Sequence, residues 1–270
     1  MKKVLCFTAL SAALIVLSSL AFAQQELSIA HTASTGVAGT TSAVKSPPGA
    51  PAYCKPCLLY GGDWNNTSSA WVLFANGDAP SFNGPINVFS PVPVPKGKTW
   101  TVTSLFANVG FIGINVMDPA KPEWSINSGV KVGSGGKVVK AGTTKGTAKP
   151  TGRTANSGAG PVTEYTVLVK LPKPVVLKAG KYWENVTPPC TNTNDSSCSS
   201  ALYYESDTFN DATTARGAHH FGAEPKGSNF QNSTPFGINW IQINEAYCTA
   251  NGFPATSCDW MSAGVAGTSK

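Results

Sequence analysis

The chain has 270 residues, of which 41% are hydrophobic and only 13% are charged, and its formal net charge is +6. With 27 glycines and 20 prolines, this composition suits short strands joined by turns and argues against long surface helices. The apolar and aromatic content excludes disorder over most of the chain. Because only two arginines are present, a concentrated nucleic-acid-binding face is not expected.

Residues 1–23 have the pattern of a secretory signal peptide. Lys2 and Lys3 precede an apolar run, and a small-residue cleavage site ends at Ala23. The protein is therefore predicted to be secreted, into the periplasm or the extracellular space, as a mature chain that begins near Gln24. No later apolar run approaches the ~20 residues that span a bilayer, so no membrane span is predicted in the mature chain.

Residues 24–52 are rich in Ala, Thr, Ser and Pro and predict a flexible spacer. Strand-like segments follow, and the clearest are residues 100–109, where threonines alternate with apolar residues, and residues 162–171. About ten to twelve such segments with Gly and Pro turns favour an all-β fold, an antiparallel β-sandwich that resembles a jelly roll. We therefore expect residues 53–270 to form a single, monomeric β-sandwich domain stapled by disulfide bonds.

Six cysteines remain in the predicted mature chain, because Cys6 lies in the signal peptide. An even number of cysteines in an exported protein predicts disulfide bonds. The sequence alone does not fix their connectivity, and the simplest arrangement joins the cysteines that are nearest along the chain. These pairs are Cys54–Cys57, Cys190–Cys198 and Cys248–Cys258.

The spacing of Cys54 and Cys57 also occurs in thioredoxin-like redox motifs and in half of a zinc site. A redox motif opens a helix after a strand, whereas residues 58–60 predict a short strand after the second cysteine. Zinc would require a second pair of cysteines at a matching spacing, and Cys190 and Cys198 are separated by seven residues. A structural disulfide is therefore the favoured interpretation.

Two loops rich in oxygen-bearing side chains, at residues 192–196 and 207–211, suggest a calcium site. Carboxylate and amide oxygens are the ligands that calcium takes, and the candidates here are Asp195, Asp207 and Asp211. Ordinary turn chemistry explains Asn and Asp in such loops equally well. No other cofactor is indicated.

The sequence assigns no catalytic residue. His31 lies in the spacer, and His219 and His220 are adjacent, so on an extended chain they point to opposite sides. Glycoside hydrolysis would need two acids held about 5 to 10 Å apart, but the pattern favours no pair among the acids on or beside predicted strands. Those acids are Glu164, Glu184, Glu205 and Asp207.

Seven tryptophans and one basic segment are the features that favour binding. An exposed indole ring can stack on the apolar face of a sugar, and Trp64, in a polar turn, is the candidate ligand-binding residue. Residues 131–153 contain six basic side chains and no acidic one. This segment could bind phosphate or an anionic polysaccharide, or could be a solvated hairpin excursion.

Four short segments between residues 59 and 183 carry a resemblance to a known group of proteins. They are Leu59-Tyr60-Gly61, Val94-Pro-Lys-Gly-Lys-Thr-Trp-Thr-Val-Thr103, Trp124-Ser-Ile-Asn-Ser-Gly129 and Leu177-Lys-Ala-Gly-Lys-Tyr-Trp183. They resemble secreted bacterial proteins of unassigned function that carry a jelly-roll or sandwich domain with an Ala-Gly turn feeding a Tyr-Trp strand. The resemblance implies the fold and secretion, and some similar sandwiches bind carbohydrate, but it transfers no site residue.

These features predict an exported, non-enzymatic binding module for polysaccharide or a cell-surface glycan. The alternative is a structural or surface-exposed protein without a small-molecule site. A hydrolase that uses acidic residues is favoured less, because nothing positive in the sequence supports catalysis.

The cysteine count makes a direct prediction about the mature chain. Peptide mapping under non-reducing conditions should recover three disulfides and no free thiol, since an exported chain with an even number of cysteines oxidises them in pairs. A reactive dithiol at Cys54 and Cys57 would contradict a structural role for this pair.

Overall fold

A computed structural model describes the backbone of residues 52–62, 73–75, 86–112, 121–157, 160–188, 203–206, 229–233, 237–243, 250 and 261–270. These residues form mostly antiparallel β-sheet with almost no helix, so the predicted all-β class is confirmed. The predicted signal peptide and spacer lie outside the described residues. The described chain contains one disulfide, between Cys54 and Cys57, as the local pairing predicts.

The described residues form eleven strands, numbered here in chain order. They are β1 (Cys57–Tyr60), β2 (Leu73–Ala75), β3 (Ile86–Ile112), β4 (Glu123–Ser128), β5 (Lys137–Thr143), β6 (Gly146–Ser157), β7 (Gly160–Thr187), β8 (Tyr203–Ser206), β9 (Asn229–Ser233), β10 (Ile238–Ile243) and β11 (Ala263–Ser269). The main order is β1-β11-β3-β7-β4-β5. In addition, β6 pairs with β7, β8 with β2 and β3, and β9 with β3 and β10.

Strands β3 and β7 are much longer than the separate segments that the sequence pattern predicts. Residues 100–109 and 162–171 are strands, as predicted, but each is part of a continuous strand of 27 or 28 residues. The two strands form an antiparallel ladder with register shifts between Val94 and Thr99 and between Val102 and Ser104. Such irregularities bend a strand and increase its twist without ending it, which explains why turn-like residues occur within β3.

One large apolar core takes side chains from both halves of this long ribbon. On β7, Val167 and Val169 face this core, whereas Thr166 and Leu168 face the other side, as the alternation of a strand requires. The buried members of the main core include Val88, Val92, Val94, Trp100, Val102, Leu105, Ala107, Val109, Ile126, Val167, Val169, Leu177, Val186 and Val265. The main core therefore contains side chains from β3, β4, β7 and β11.

A smaller cluster covers the opposite face of the sheet near the start of the described chain. Phe106 is fully buried there beside Tyr60, Cys54 and Ala266. The ring of Tyr53 packs edge-on against Phe106, with the ring centroids 5.0 Å apart. The segment held by the disulfide thus packs as a cover on this face.

Strand β11 lies between β1 and β3, and the three backbones approach closely at Gly264. A Cβ atom at this position would lie 2.3 Å from the carbonyl oxygen of Leu59 and 2.7 Å from the ring of Phe106. Only glycine fits here without movement of the neighbouring backbone.

We expect Gly264→Ala to lower the free energy of unfolding by about 3 kcal/mol or more, because the added methyl group overpacks a site walled by backbone. Gly97→Ala is the control, since Gly97 has open space around it and a φ of 78°, and left-handed strain alone costs about 1–2 kcal/mol. Urea unfolding of both variants would measure the difference. Equal losses would contradict the close approach at Gly264.

Candidate binding groove

Most of the residues that the sequence singles out lie outside the described residues. This applies to Trp64, to the calcium candidates Asp195, Asp207 and Asp211, and to His219 and His220. It also applies to the cysteines of the two other predicted disulfides, Cys190, Cys198, Cys248 and Cys258. These assignments stay predictions.

The tryptophans with described side chains are mostly part of the protein interior. Trp100, Trp124 and Trp183 are 1%, 4% and 7% exposed, respectively. Trp183 packs with Phe230 at a ring distance of 5.9 Å in an aromatic cluster that also contains Phe89. Trp183 of the Tyr-Trp strand is therefore part of packed structure, and these three indoles do not form a surface for stacking on a ligand.

Trp240 is half-buried and anchors the turn between β4 and β5. Its ring lies 4.4 Å from that of Phe89, and its carbonyl oxygen accepts a hydrogen bond from the amide of Gly133. A Cβ atom at Gly135 would come within 2.2 Å of the indole. Asn127 donates a hydrogen bond to the carbonyl oxygen of Gly135, at 3.0 Å. Trp240 and Asn127 thus hold the turn before β5 from two sides.

Glu164, one of the carboxylates considered for catalysis, is buried in an ion pair. Its Oε2 atom lies 2.5 Å from Nε of Arg153 and accepts a hydrogen bond of 2.6 Å from the hydroxyl of Thr151. Both partners come from β6, where the register with β7 shifts between Pro150 and Thr154. This irregularity lets Arg153 fold over Glu164, and the arrangement accounts for the carboxylate as a structural group.

A second buried polar network, beneath the disulfide-held segment, centres on Asn108. Asn108 accepts hydrogen bonds from Thr166 at 2.7 Å and from Tyr53 at 3.3 Å, and donates one to Ser262 at 2.8 Å. Burial raises the pKa of the Tyr53 phenol, and its hydrogen bonds with Thr166 and Asn108 partly offset that effect. Tyr53 therefore stays a neutral donor, which suits its contact with the amide oxygen of Asn108.

Glu184, the second carboxylate of β7, is also buried but on the other face of the sheet. It is 1% exposed and lies between Ser90 of β3 and Ile126 of β4 in the ladder, facing the main core. Glu164 and Glu184 therefore point to opposite faces and do not form a pair of the kind that glycoside hydrolysis uses. The backbone of Glu205 lies in β8, and Asp207 lies outside the described residues.

A groove of about 380 Å³ lies where the turn-like part of β7 approaches the hairpin of β4 and β5. Lys137, Ser128 and Tyr182 stand opposite one another on β5, β4 and β7, and all three line the groove. Neighbouring strands are about 4.8 Å apart, so this row crosses roughly 10 Å of sheet. Lys181 lies next to Tyr182 and is the second cation of the lining.

Three valines form the exposed apolar part of the groove lining. Val138 and Val176 are 55% and 60% exposed, and Val139 also lies in the lining. Large apolar side chains are exposed at four positions in the described part of the chain, and three of them are these valines. The fourth, Val132, is in the turn that leads into β5.

The side chains of the groove offer three kinds of contact to a ligand. Lys137 and Lys181 provide cations, Ser128 and Tyr182 provide hydroxyls, and the valines provide apolar surface. The Tyr182 hydroxyl donates a hydrogen bond to the carbonyl oxygen of Lys178, which fixes the ring beside the turn. A concave surface with a few placed polar groups is the usual form of a ligand site.

Both parts of this groove are recognisable in the sequence, but the sequence does not indicate that they meet. The basic segment 131–153 contains Lys137, and the resemblance segment 177–183 contains Lys181 and Tyr182. Their proximity depends on β4, which lies between β5 and β7 in the sheet. The valines of β5 were the available signal of an unusual surface. This strand is exposed at every position, so it lacks the alternation of apolar and polar residues that marks a half-buried strand.

Two kinds of feature are absent from the described residues. They contain no group of three or more His, Cys, Asp or Glu side chains that could hold a metal ion. No helix in these ranges is long and apolar enough to cross a membrane.

Comparisons with protein-family models, with curated proteins and with solved structures find no match for this chain.

The buried ion pair makes a prediction about stability. Arg153→Met should lower the free energy of unfolding by about 3–5 kcal/mol, because it removes the cation beside a buried carboxylate. The double variant Arg153→Met with Glu164→Gln should recover part of this loss, since the buried charge is then absent as well. Denaturant unfolding of the single and double variants would measure the coupling, and strictly additive losses would contradict it.

Proposed function

We propose that this protein is an exported, monomeric and non-enzymatic module that binds polysaccharide or a cell-surface glycan. The groove bounded by Lys137, Ser128, Lys181 and Tyr182 is the observation that carries the proposal. Its lining, which lies wholly within the described ranges, contains hydroxyls, cations and apolar surface but no carboxylate. These groups can hold a sugar chain by hydrogen bonds and ring contact, and the groove has no acid pair for cleaving it.

Export is part of the proposal and rests on the sequence. The basic start and apolar run of residues 1–23 match a signal peptide, and the disulfide between Cys54 and Cys57 suits an oxidising compartment. The resemblance to secreted bacterial sandwich proteins points in the same direction.

We also propose that the sheet closes into a sandwich with jelly-roll character. The main core draws on β3 residues from both sides of the shift at Val94–Thr99, such as Val92 and Val102. A ribbon that bends at this shift and packs its two halves around one core would give the two layers of a sandwich.

A structural or surface role without a ligand is the second candidate. The observation that favours it is the burial of Trp100, Trp124 and Trp183, which leaves these rings unavailable for stacking on sugars. In that case the groove would bind no ligand, and the protein would act as a stable structural component.

The test is a glycan array with an insoluble-polysaccharide pull-down, performed on the mature chain and on Tyr182→Leu. We expect the wild type to bind and the variant to lose about two- to tenfold in affinity, because the leucine keeps apolar packing but removes the ring and hydroxyl. Tyr165→Leu is the matched control, since Tyr165 is also a partly buried tyrosine of β7 that packs on the main core.

The outcomes separate the two candidates. No binding by the wild type would favour the structural role. Binding that Tyr182→Leu and Tyr165→Leu retain equally would keep the module but remove the groove as its site, and a parallel Trp64→Ala variant would show whether Trp64 carries the interaction instead.

A further inference from the structure

We infer that the ligand of this groove is a polyanion, namely a glycan that carries carboxylate, sulfate or phosphate groups. The inference rests on the proposed binding function and specifies the chemical class of the ligand. The charge of the segment that carries the groove differs sharply from the average of the chain.

Residues 121–188 contain eleven basic side chains and three acidic ones. Ten of the basic residues are exposed lysines, whereas Arg153 is buried against Glu164. Two of the three acids, Glu164 and Glu184, are buried, so Glu123 is the exposed carboxylate of this segment. The exposed surface of this segment, which contains the whole groove lining, is therefore far more positive than the net charge of +6 for the whole chain suggests.

The lysines are placed on both sides of the groove. Lys137 and Lys181 line it directly. Lys140 continues along β5, Lys131 lies in the turn before β5, and Lys178 supplies the carbonyl oxygen that holds Tyr182. A cleft edged by cations concentrates negative charge within it, and an extended polyanion can contact several of these lysines at once.

Protection of a sheet edge would be the ordinary explanation for lysines on β5. This strand lies at the end of the strand order, and its residues are exposed at every position. Charged side chains there prevent pairing with another sheet. Lys178 and Lys181 lie on a part of β7 that pairs with β3, beyond the Tyr182–Ser128 pair that ends the ladder with β4. What edge protection does not account for is that Lys181 of β7 and Lys137 of β5, from strands separated by β4, line the same groove.

The mixture of groups in the lining suits a polymer chain. Val138, Val139 and Val176 line the groove together with Lys137 and Lys181. A glycan strand presents apolar C–H faces and charged substituents along one narrow chain, and both features have counterparts in the groove.

The experiment uses the mature chain with polymers that share one backbone, namely dextran, carboxymethyl dextran and dextran sulfate. We expect the two charged polymers to bind, neutral dextran to bind at least tenfold more weakly, and added salt to weaken the charged complexes through screening. The double variant Lys137→Gln with Lys181→Gln should lose about tenfold or more in affinity for dextran sulfate. The control Lys149→Gln with Lys170→Gln removes two exposed lysines from outside the groove lining and should lose less than about threefold.

Each other outcome overturns a defined part of the inference. If neutral dextran binds as strongly as the charged polymers and salt has no effect, the proposed function stands but its ligand is not a polyanion. Equal losses in the two lysine variants would show general attraction to the basic surface and remove the groove. If the protein binds none of the three polymers and nothing on a full glycan array, the proposed function itself is wrong. Binding only to phosphatidylglycerol vesicles, and not to phosphatidylcholine vesicles, would replace the glycan with a lipid surface.

Discussion

The antiparallel ladder between residues 86–112 and 160–187 places every other described strand of the protein, because each of them pairs with one member of this ladder or with a strand that does. Its two register shifts are as important as its length. A regular strand would keep one set of side chains on each face throughout, whereas a shift changes which residues point inward. The main core therefore takes Trp100 and Val102 of β3 before the second shift, and Leu105 and Ala107 after it.

The candidate groove follows from the same ladder. Where β3 and β7 shift their register, β7 turns past the end of β4 and brings Lys181 and Tyr182 beside the hairpin that carries Lys137. The hairpin itself is fixed by Trp240, which packs against Gly135. The candidate groove thus combines an irregular part of the sheet with a well-anchored turn, and functional residues often occupy such positions on a rigid scaffold.

Buried charge and exposed charge have different roles in this molecule. Glu164 and Arg153 neutralise each other inside the fold, where an unpaired ion would be costly. The exposed lysines of residues 121–188 have few carboxylates near them in sequence, so their field extends into solvent. The first arrangement stabilises the strands of the scaffold, and the second makes the exposed surface of this segment positive.

The sequence by itself determined the all-β class, the strands at residues 100–109 and 162–171, and the disulfide between Cys54 and Cys57, because composition, alternation and short spacing are local properties. The joining of the ribbon segments into β3 and β7 was decided only in the tertiary structure, because the ladder between these strands resumes at Thr99 after the register shift that contains Pro95. The same holds for the burial of Trp100, Trp124 and Trp183, and for the meeting of Lys137 with Tyr182 across β4. Residues distant in sequence meet only through the register of the sheet, which no local pattern encodes.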